Sequence, residues 1–170
     1  FIDDRVEKSL TDAGVRVDAV RAARGASLPR LQHVDALARA LDAAVRSGDS
    51  AFGHVLDAVI RCTRILEKAG DSVIAASINH ALFDSDSERE LARQLDVVRD
   101  EIHDAALDRK FAEAVTAASR LGSAVESFFD RERGVMVMAD DAAVRGNRLA
   151  LVAAVVDVTA PLGQLGELQV

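Results

Sequence analysis

Apolar positions recur along most of this chain at a spacing of about 3.6 residues, which is typical of amphipathic α-helices. No segment alternates apolar and polar side chains in the way that a half-buried strand does. Clusters of glycine, proline, serine and aspartate divide the periodic pattern into segments. We therefore predict an all-α, multi-helix bundle of about seven or eight helices with no significant sheet. The predicted helices cover residues 2–13, 18–24, 30–46, 50–69, 73–83, 87–106, 109–131 and 140–158.

Short polar side chains mark several of the predicted helix starts. Asp49 or Ser50, Ser87 and Asp108 precede periodic segments, and such side chains accept hydrogen bonds from first-turn N–H groups. Gly122 falls inside the seventh predicted helix, where it indicates a bend or a split.

The predicted helix over 50–69 separates an apolar face from a basic one. Arg61, Arg64 and Lys68 lie within about 60° of one another on a helical wheel, and we call these three residues the basic stripe. One interpretation is a solvated face on which Asp57 pairs with Arg61. The other is a surface that contacts a polyanion. The opposite face is predicted to be core and contains Phe52, Val55, Leu56, Val59, Ile60, Thr63 and Leu66.

Arg148 falls near the middle of the apolar arc of the last predicted helix. An unpaired buried charge is too costly, so this arginine must reach solvent past the helix start or pair with an acid. Asp130 and Asp141 are the candidate partners, and we predict a structural role for Arg148. Arg145 and Asn147 lie at the two edges of the arc. The arc itself consists of Val144, Leu151, Val152, Val155 and Val156.

The segment before this helix reads "FFDRERGVMVMADD", from Phe128 to Asp141. Its aromatic and apolar residues are predicted to pack beneath the last helix, with Asp140 or Asp141 as the helix cap. The residues assigned to this structural role are Phe128, Phe129, Met136 and Met138, together with Asp130.

Composition narrows the class of protein. With 170 residues, 49% hydrophobic and 29% charged, the chain is long and apolar enough for one globular domain. No apolar run approaches the roughly 18 residues of a membrane span. The chain begins at Phe1 without a basic and then apolar leader, so we expect no signal peptide and a piece of a longer protein. A single cysteine, Cys62, excludes an internal disulfide and is predicted to lie in the core.

The formal net charge of −7 argues against a protein that coats nucleic acid non-specifically, although a local basic face remains compatible with it. The chain contains no glycine-rich nucleotide loop and no nucleophile elbow. A four-helix di-metal site needs two Glu-x-x-His motifs, and none is present. We therefore predict no catalytic residue and no metal site. The histidines are His33, His54, His80 and His103.

One stretch carries a specific resemblance. "FFD", followed by "VMVMADDAAVRGNRLAL", resembles the C-terminal end of the β subunit of bacterial-type glycyl-tRNA synthetases, where "FFD" precedes "VMVM", an acidic pair and R-x-N-R-L. "DDRVEKSLTDAGVRVDAVRAA" and "IRCTRILEK" also resemble segments of that family. The matches are collinear from about Asp3 to Gln169.

The resemblance implies that residues 1–170 form a single C-terminal DALR-type anticodon-binding domain, the all-helical module shared with arginyl-tRNA synthetases. The whole enzyme would join glycine to its tRNA with ATP and magnesium, and no cofactor would bind these residues. The implied partners are tRNA(Gly) and the α subunit or a fused α region, with no membrane. The implied location is the cytoplasm, or an organelle for a plastid-type fused enzyme.

Under this interpretation, the basic stripe would contact phosphates and base edges of the tRNA, and a helix N-terminus would favour a phosphate. The candidate tRNA-binding residues are Arg61, Arg64, Lys68, Arg145 and Asn147. Several positions depart from the family pattern. Arg64 replaces an asparagine, Ile60 replaces a lysine, and an Arg-Glu-Arg-Gly insertion follows "FFD".

The tail over 161–170 also departs from the family, and it is predicted to be irregular or a short last turn that bends differently. These departures and the acidic net charge favour an alternative, a helical structural or subunit-interaction domain with little or no direct contact with RNA.

Overall fold

The computed structural model describes residues 2–27, 31–70 and 72–169, and within these ranges all regular secondary structure is helical. The prediction of an all-α fold is confirmed. Arg30, the predicted start of the third helix, and Val170, the end of the predicted tail, lie outside the described residues. The α-helices are α1 (Ile2–Asp12), α2 (Val17–Arg24), α3 (Leu31–Ser47), α4 (Ser50–Ala69), α5 (Asp86–Leu107), α6 (Phe111–Ser119), α7 (Gly122–Phe128) and α8 (Ala142–Thr159), with 3-10 turns at His80–Leu82, Ala160–Leu162 and Leu165–Glu167.

The prediction of a helix over 73–83 is wrong. Apart from the 3-10 turn, this segment is irregular, and part of its backbone hydrogen bonding goes to α8. Ala75 N donates to Gly146 O at 3.1 Å, and both backbone groups of Asn79 bond the side chain of Asn147. Because α8 satisfies these peptide groups, the segment does not need a helix to satisfy them.

The helix predicted over 109–131 is divided into α6 and α7, in agreement with the split expected near Gly122. A Cβ atom added at Gly122 would lie 2.7 Å from the carbonyl oxygen of Ala51. Glycine therefore allows the backbone of α7 to approach the start of α4 closely.

Two predicted N-caps have different outcomes. The side chain of Asp49 accepts a hydrogen bond from Ala51 N at 3.0 Å, so Asp49 is the cap of α4 and Ser50, the other candidate, is its first helical residue. Asp108 is not an N-cap: it follows α5, and α6 begins after Lys110 without a side-chain cap. The turn between the two helices instead contains Arg109 with a positive φ of 63°.

The core lies where α8 packs against both α4 and α5, with α7 covering α4 and α5 and α6 bridging to α3. The predicted core face of α4 is confirmed at Phe52 and Leu56, but Thr63 is exposed and bonds its hydroxyl to Val59 O at 2.9 Å. Cys62 is fully buried, and this burial raises the pKa of its thiol to about 12. The cysteine therefore belongs to the core. The largest fully buried side chains include Phe111, Phe128, Leu91, Leu95, Leu149 and Leu151.

The C-terminal tail, predicted to be irregular or a short last turn, contains two short 3-10 turns. The first packs against α5, α6 and α8, and the second packs against α2 and α4. Leu162, Leu165 and Leu168 are buried, and Gln164 N donates to Ala22 O at 2.9 Å. The tail therefore places three leucines in the core, and its hydrogen bond to Ala22 fixes it over α2.

Arg16 and Asp18 bind the end of this tail. Arg16 Nη2 donates to Gln169 O at 2.6 Å, and Gln169 N donates to Asp18 Oδ2 at 3.0 Å. The two side chains also pair with each other at 2.6 Å. The hydrogen bond from Arg16 lowers the pKa of Asp18 to about 2, against the opposing effect of burial and with help from the N–H groups of Gln169 and Ala19.

Asp18→Asn is expected to lower the free energy of unfolding at pH 7 by about 1–2 kcal/mol, because it weakens a charge-assisted contact with the tail. The pKa of Asp18 is lower in the folded state than its ordinary value of 3.8, so its contribution is present above about pH 4 and is lost as the pH falls toward about 2. Urea unfolding between pH 2 and 7 measures both effects.

Asp35→Asn is the matched control, because Asp35 pairs with Arg39 on an exposed face and should change stability by less than about 0.5 kcal/mol. If Asp18→Asn kept the same loss of stability between pH 4 and 2 as the parent chain, Asp18 would not be the group responsible.

Candidate nucleic-acid interface

The basic stripe lies on the outer face of α4, and all three of its side chains are exposed. The predicted pair between Asp57 and Arg61 does not form. Arg61 Nη1 instead donates to Phe129 O at 3.2 Å, and the guanidinium carbon lies 4.4 Å from the centroid of the Phe129 ring. This contact holds the guanidinium of Arg61 at the junction between α4 and the end of α7.

Arg64 and Lys68 are one helical turn apart and make no hydrogen bond or ion pair with the part of the chain that the structure describes. Many other cations are neutralised locally, as when Arg46 pairs with Asp42 or Arg93 with Glu90. Two uncompensated charges at this spacing can contact neighbouring phosphates of a polyanion.

Arg145 lies near the C-terminal end of the stripe and is half-buried. Its Nη1 donates to Ala139 O at 2.7 Å and to Asp140 O at 3.1 Å, which fixes the plane of the guanidinium. A cavity of about 400 Å³ opens beside it, between the end of α4 and the start of α8. We call this cavity the α4–α8 cleft; it is lined by Ala69, Ser72, Val73, Ala142 and Arg145.

Asn147 is not available to RNA, contrary to the prediction. The residue is 1% exposed. Its Oδ1 accepts from Asn79 N at 2.6 Å, and its Nδ2 donates to Asn79 O at 3.1 Å. The amide thus mimics a neighbouring peptide group and holds the segment before α5 against α8.

Arg148 is buried and donates hydrogen bonds in three directions. Nε donates to Glu88 Oε1 at 2.8 Å, Nη2 to Asp84 Oδ1 at 2.6 Å, and Nη1 to Met136 O at 3.0 Å. The guanidinium therefore ties the loops before α5 and α8 to α8 itself.

The prediction that Asp130 or Asp141 pairs with Arg148 is wrong, because each of these carboxylates accepts hydrogen bonds from backbone N–H groups close to it in the chain. Asp130 Oδ1 accepts from Glu132 N and Arg133 N, at 2.9 and 2.7 Å. Asp141 Oδ1 accepts from the first-turn N–H groups of α8 at 2.8 and 2.9 Å. These backbone hydrogen bonds lower the pKa of both carboxyls. The start of α8 is therefore already occupied by a carboxylate, and the expected phosphate site at a helix N-terminus is not open there.

Glu88, which sequence reasoning missed, is fully buried. Burial favours a higher pKa for its carboxyl, but hydrogen bonds from Arg148, Asp84 and Ser85 outweigh this effect and lower the pKa. Ser85 and Glu88 also form the capping box of α5, so the predicted cap at Ser87 is wrong by two positions. The spacing S-x-x-E over 85–88 is the sequence signal for such a box.

The aromatic pair of "FFD" packs as predicted, but the methionines do not. Phe128 and Phe129 are buried with ring centroids 5.0 Å apart. Met136 is 74% exposed and Met138 is 46% exposed, whereas Val137 between them is buried. This alternation is typical of an extended segment, in which successive side chains point to opposite sides.

Within 2–27, 31–70 and 72–169, the structure contains no group of three or more histidine, cysteine, aspartate or glutamate side chains placed to hold a metal ion. No helix in the same ranges is both long enough and apolar enough to cross a membrane.

The model of the DALR anticodon binding domain matches residues 55–165, from the first turns of α4 to the final 3-10 turn. The chain is also similar to proteins named glycine–tRNA ligase β subunit. The relative from Levilactobacillus brevis is 32% identical over 170 residues, covering 100% of this chain and 23% of the relative. The relative from Methylobacillus flagellatus is 35% identical over 161 residues, covering 90% of this chain and 21% of the relative.

A third relative, from Nitratidesulfovibrio vulgaris, is 34% identical over 173 aligned positions, covering 98% of this chain and 24% of the relative. The chain spans about a quarter of the length of the curated relatives it matches. The domain match extends over more than half of the chain and includes the basic stripe, the α4–α8 cleft and the buried arginine of α8. The chain belongs to the DALR anticodon-binding domain family.

Proposed function

We propose that this domain binds the anticodon arm of a tRNA that accepts glycine, as part of a glycine–tRNA ligase. The ATP- and magnesium-dependent joining of glycine to tRNA then takes place outside these residues, together with an α subunit or fused α region. One observation carries the proposal: Arg64 and Lys68 stay exposed and without an ion-pair partner among the described residues, although acids outnumber bases by 28 to 21.

The stripe contributes contacts of two kinds. Arg64 and Lys68 neutralise phosphates, and this contribution weakens as salt rises because releasing counterions into a more concentrated salt solution is less favourable. Arg61, held over the ring of Phe129, presents a fixed guanidinium with donors for phosphate or base edges. The buried Arg148 contacts no RNA and holds the neighbouring loops in place.

Arg64→Ala with Lys68→Ala is expected to weaken binding of a glycine tRNA transcript about tenfold at low salt. The slope of log affinity against log salt should become shallower by about 2, or roughly 1 for each phosphate contact. Fluorescence anisotropy of a labelled transcript, titrated with the 170-residue chain at several salt concentrations, measures both quantities.

Lys8→Ala with Arg99→Ala is the matched control, because it removes two exposed cations that have no ion pair in the described part of the chain. This variant should stay within about twofold of the parent. Equal losses in the two double variants would show that net charge, rather than the stripe, governs binding and would contradict the assignment.

A second function is favoured by the exposure of Met136 and Met138, since exposed apolar side chains are typical of docking surfaces. The domain would then hold the synthetase subunits together. If the parent chain bound no tRNA at low salt but bound the α subunit in the absence of tRNA, this alternative would replace the first.

A further inference from the structure

We infer that the α4–α8 cleft receives one unstacked base of the RNA whose phosphates contact the basic stripe. This inference rests on the proposed function and specifies a base-binding site within it. The cleft volume of about 400 Å³ falls in the range of roughly 300–1,000 Å³ that is typical of sites for small organic groups. Ala69, in its lining, directly follows Lys68, so a base in the cleft would belong to a nucleotide beside the stripe.

The walls of the cleft suit a flat, uncharged group. Ala69 and Ala142 contribute methyl groups, and Val73 exposes 82% of its surface at the rim. RNA bases that leave their stack gain stability by packing on apolar side chains or on arginine planes. A base in the cleft would cover Val73, which nothing in the described part of the chain covers.

The edge of the base would face a fixed donor. Arg145 uses Nη1 for the carbonyls of Ala139 and Asp140, while its Nε and Nη2 make no hydrogen bond with described residues. Those two atoms form the fork that recognises paired acceptors on a base edge. Ser72 contributes a hydroxyl to the same lining. Recognition would therefore favour a base that offers acceptors to a guanidinium.

A phosphate fits this cleft less well than a base. Asp141 already accepts the N–H groups of Ala143 and Val144, so the helix start offers the cleft no free pair of donors. The exposed carboxylates of Asp140 and Asp141 would also repel an anion. The geometry thus separates phosphate contacts on the stripe from a base contact in the cleft.

The test fills the cleft without removing a packing contact. Ala142 is exposed and is the first residue of α8, so Ala142→Phe should place a ring in the cleft and leave the fold intact. Ala143→Phe is the matched control, because Ala143 is also exposed but does not line the cleft. The probe is a synthetic anticodon stem-loop of a glycine tRNA, together with a series in which each loop position in turn lacks its base.

For the parent chain, one abasic position should weaken binding about tenfold, the effect of losing one stacked base. Ala142→Phe should weaken binding of the intact stem-loop by a similar factor, lose the sensitivity to that position and keep the salt slope. Ala143→Phe should bind like the parent. If Ala142→Phe lowers the melting temperature, Val73→Ser gives a second test without a change of charge, because it removes an apolar wall of the cleft at a residue that is 82% exposed and should also reduce the sensitivity to the abasic position.

The inference is overturned if no abasic position weakens binding, or if Ala142→Phe binds like Ala143→Phe. Its failure is distinguishable from that of the proposed function. If loss of the stripe weakens binding but filling the cleft does not, only the cleft assignment fails. If neither change alters binding, both fail.

Discussion

Replacing Arg148 by alanine is expected to lower the free energy of unfolding by about 3 kcal/mol, because it leaves a buried carboxylate without its cation. The side chain of Arg148 is 9% exposed, and that of Glu88 is 0% exposed. Burial disfavours the charged form of Glu88, and the hydrogen bond from Arg148 is a principal effect that opposes it. Without Arg148, the loops before α5 and α8 also lose a shared attachment. Urea unfolding, followed by circular dichroism, measures the change.

Three further variants sharpen this prediction. Asp84→Asn removes the other acidic partner of Arg148. Because Asp84 is 68% exposed, this substitution should lower the free energy of unfolding by less than about 1 kcal/mol. Arg148→Lys keeps the charge and loses the planar fork, so its effect should be intermediate. Adding Glu88→Gln to Arg148→Ala removes the stranded charge and should recover part of the stability. The amide oxygen introduced by Glu88→Gln can still accept the capping hydrogen bonds from the backbone N–H and the hydroxyl of Ser85.

Arg148→Ala should lower the free energy of unfolding by more than it lowers the free energy of tRNA binding. The affinity for tRNA is measured at a temperature where the variant is folded. A normal melting temperature with a large loss of affinity would instead place the guanidinium of Arg148 at the RNA. An effect no larger than that of Asp84→Asn would show that the buried pair contributes little.

The "RGNR" motif at the start of α8 encodes loop attachment as well as helix formation. Arg145 holds the carbonyls of residues 139 and 140, and Arg148 holds the carbonyl of residue 136. Gly146 permits a close approach, since a Cβ there would lie 2.8 Å from Val73 O, and Asn147 pairs with the backbone of Asn79. The stretch that identifies the family most clearly therefore acts mainly by holding two irregular segments against α8.

Local periodicity was sufficient to predict the helices that pack by a single face. Most of the apolar face of α4 and the exposure of the basic stripe follow from spacing, and residue type narrowed the cap of α4 to Asp49 or Ser50. The burial of Arg148 also followed from its place in the arc of α8. Its partners did not, because Glu88 lies 60 residues earlier in the chain and only the fold brings it near.

The errors arise where tertiary contacts replace local ones. The segment over 73–83 has a helix-like composition, but α8 satisfies part of its backbone. The contact between this segment and α8 also buries Asn147. A helical wheel places Asn147 at the edge of an apolar arc, and that position does not show whether the side chain is buried or exposed. The α4–α8 cleft combines residues from two helices and this irregular segment, and no single pattern in the sequence indicates it.

Gly163→Ala is expected to lower the free energy of unfolding by about 2–4 kcal/mol, because both the backbone conformation and the space at this position require glycine. Gly163 has φ 89°, and a Cβ there would lie 2.1 Å from the carbonyl oxygen of Ala22. That oxygen accepts the hydrogen bond from Gln164 N that fixes the tail over α2. Displacing it should release Leu165 and Leu168 from the core. Urea unfolding and hydrogen exchange at the amides of Gln164 and Gln169 measure the two consequences.

Gly166→Ala provides the matched control in the same tail. Gly166 has no positive φ, and the nearest atom to an added Cβ would be Ile60 Cγ1 at an ordinary 3.8 Å. Its effect should stay within about 0.5 kcal/mol. Because the tail packs on α2 and on α4, release of the tail should also expose Ile60 and loosen the inner face of the helix that presents the basic stripe. If Gly163→Ala left the exchange of Gln164 and Gln169 unchanged, the tail would be held by its leucines alone and the contact with Ala22 would be dispensable.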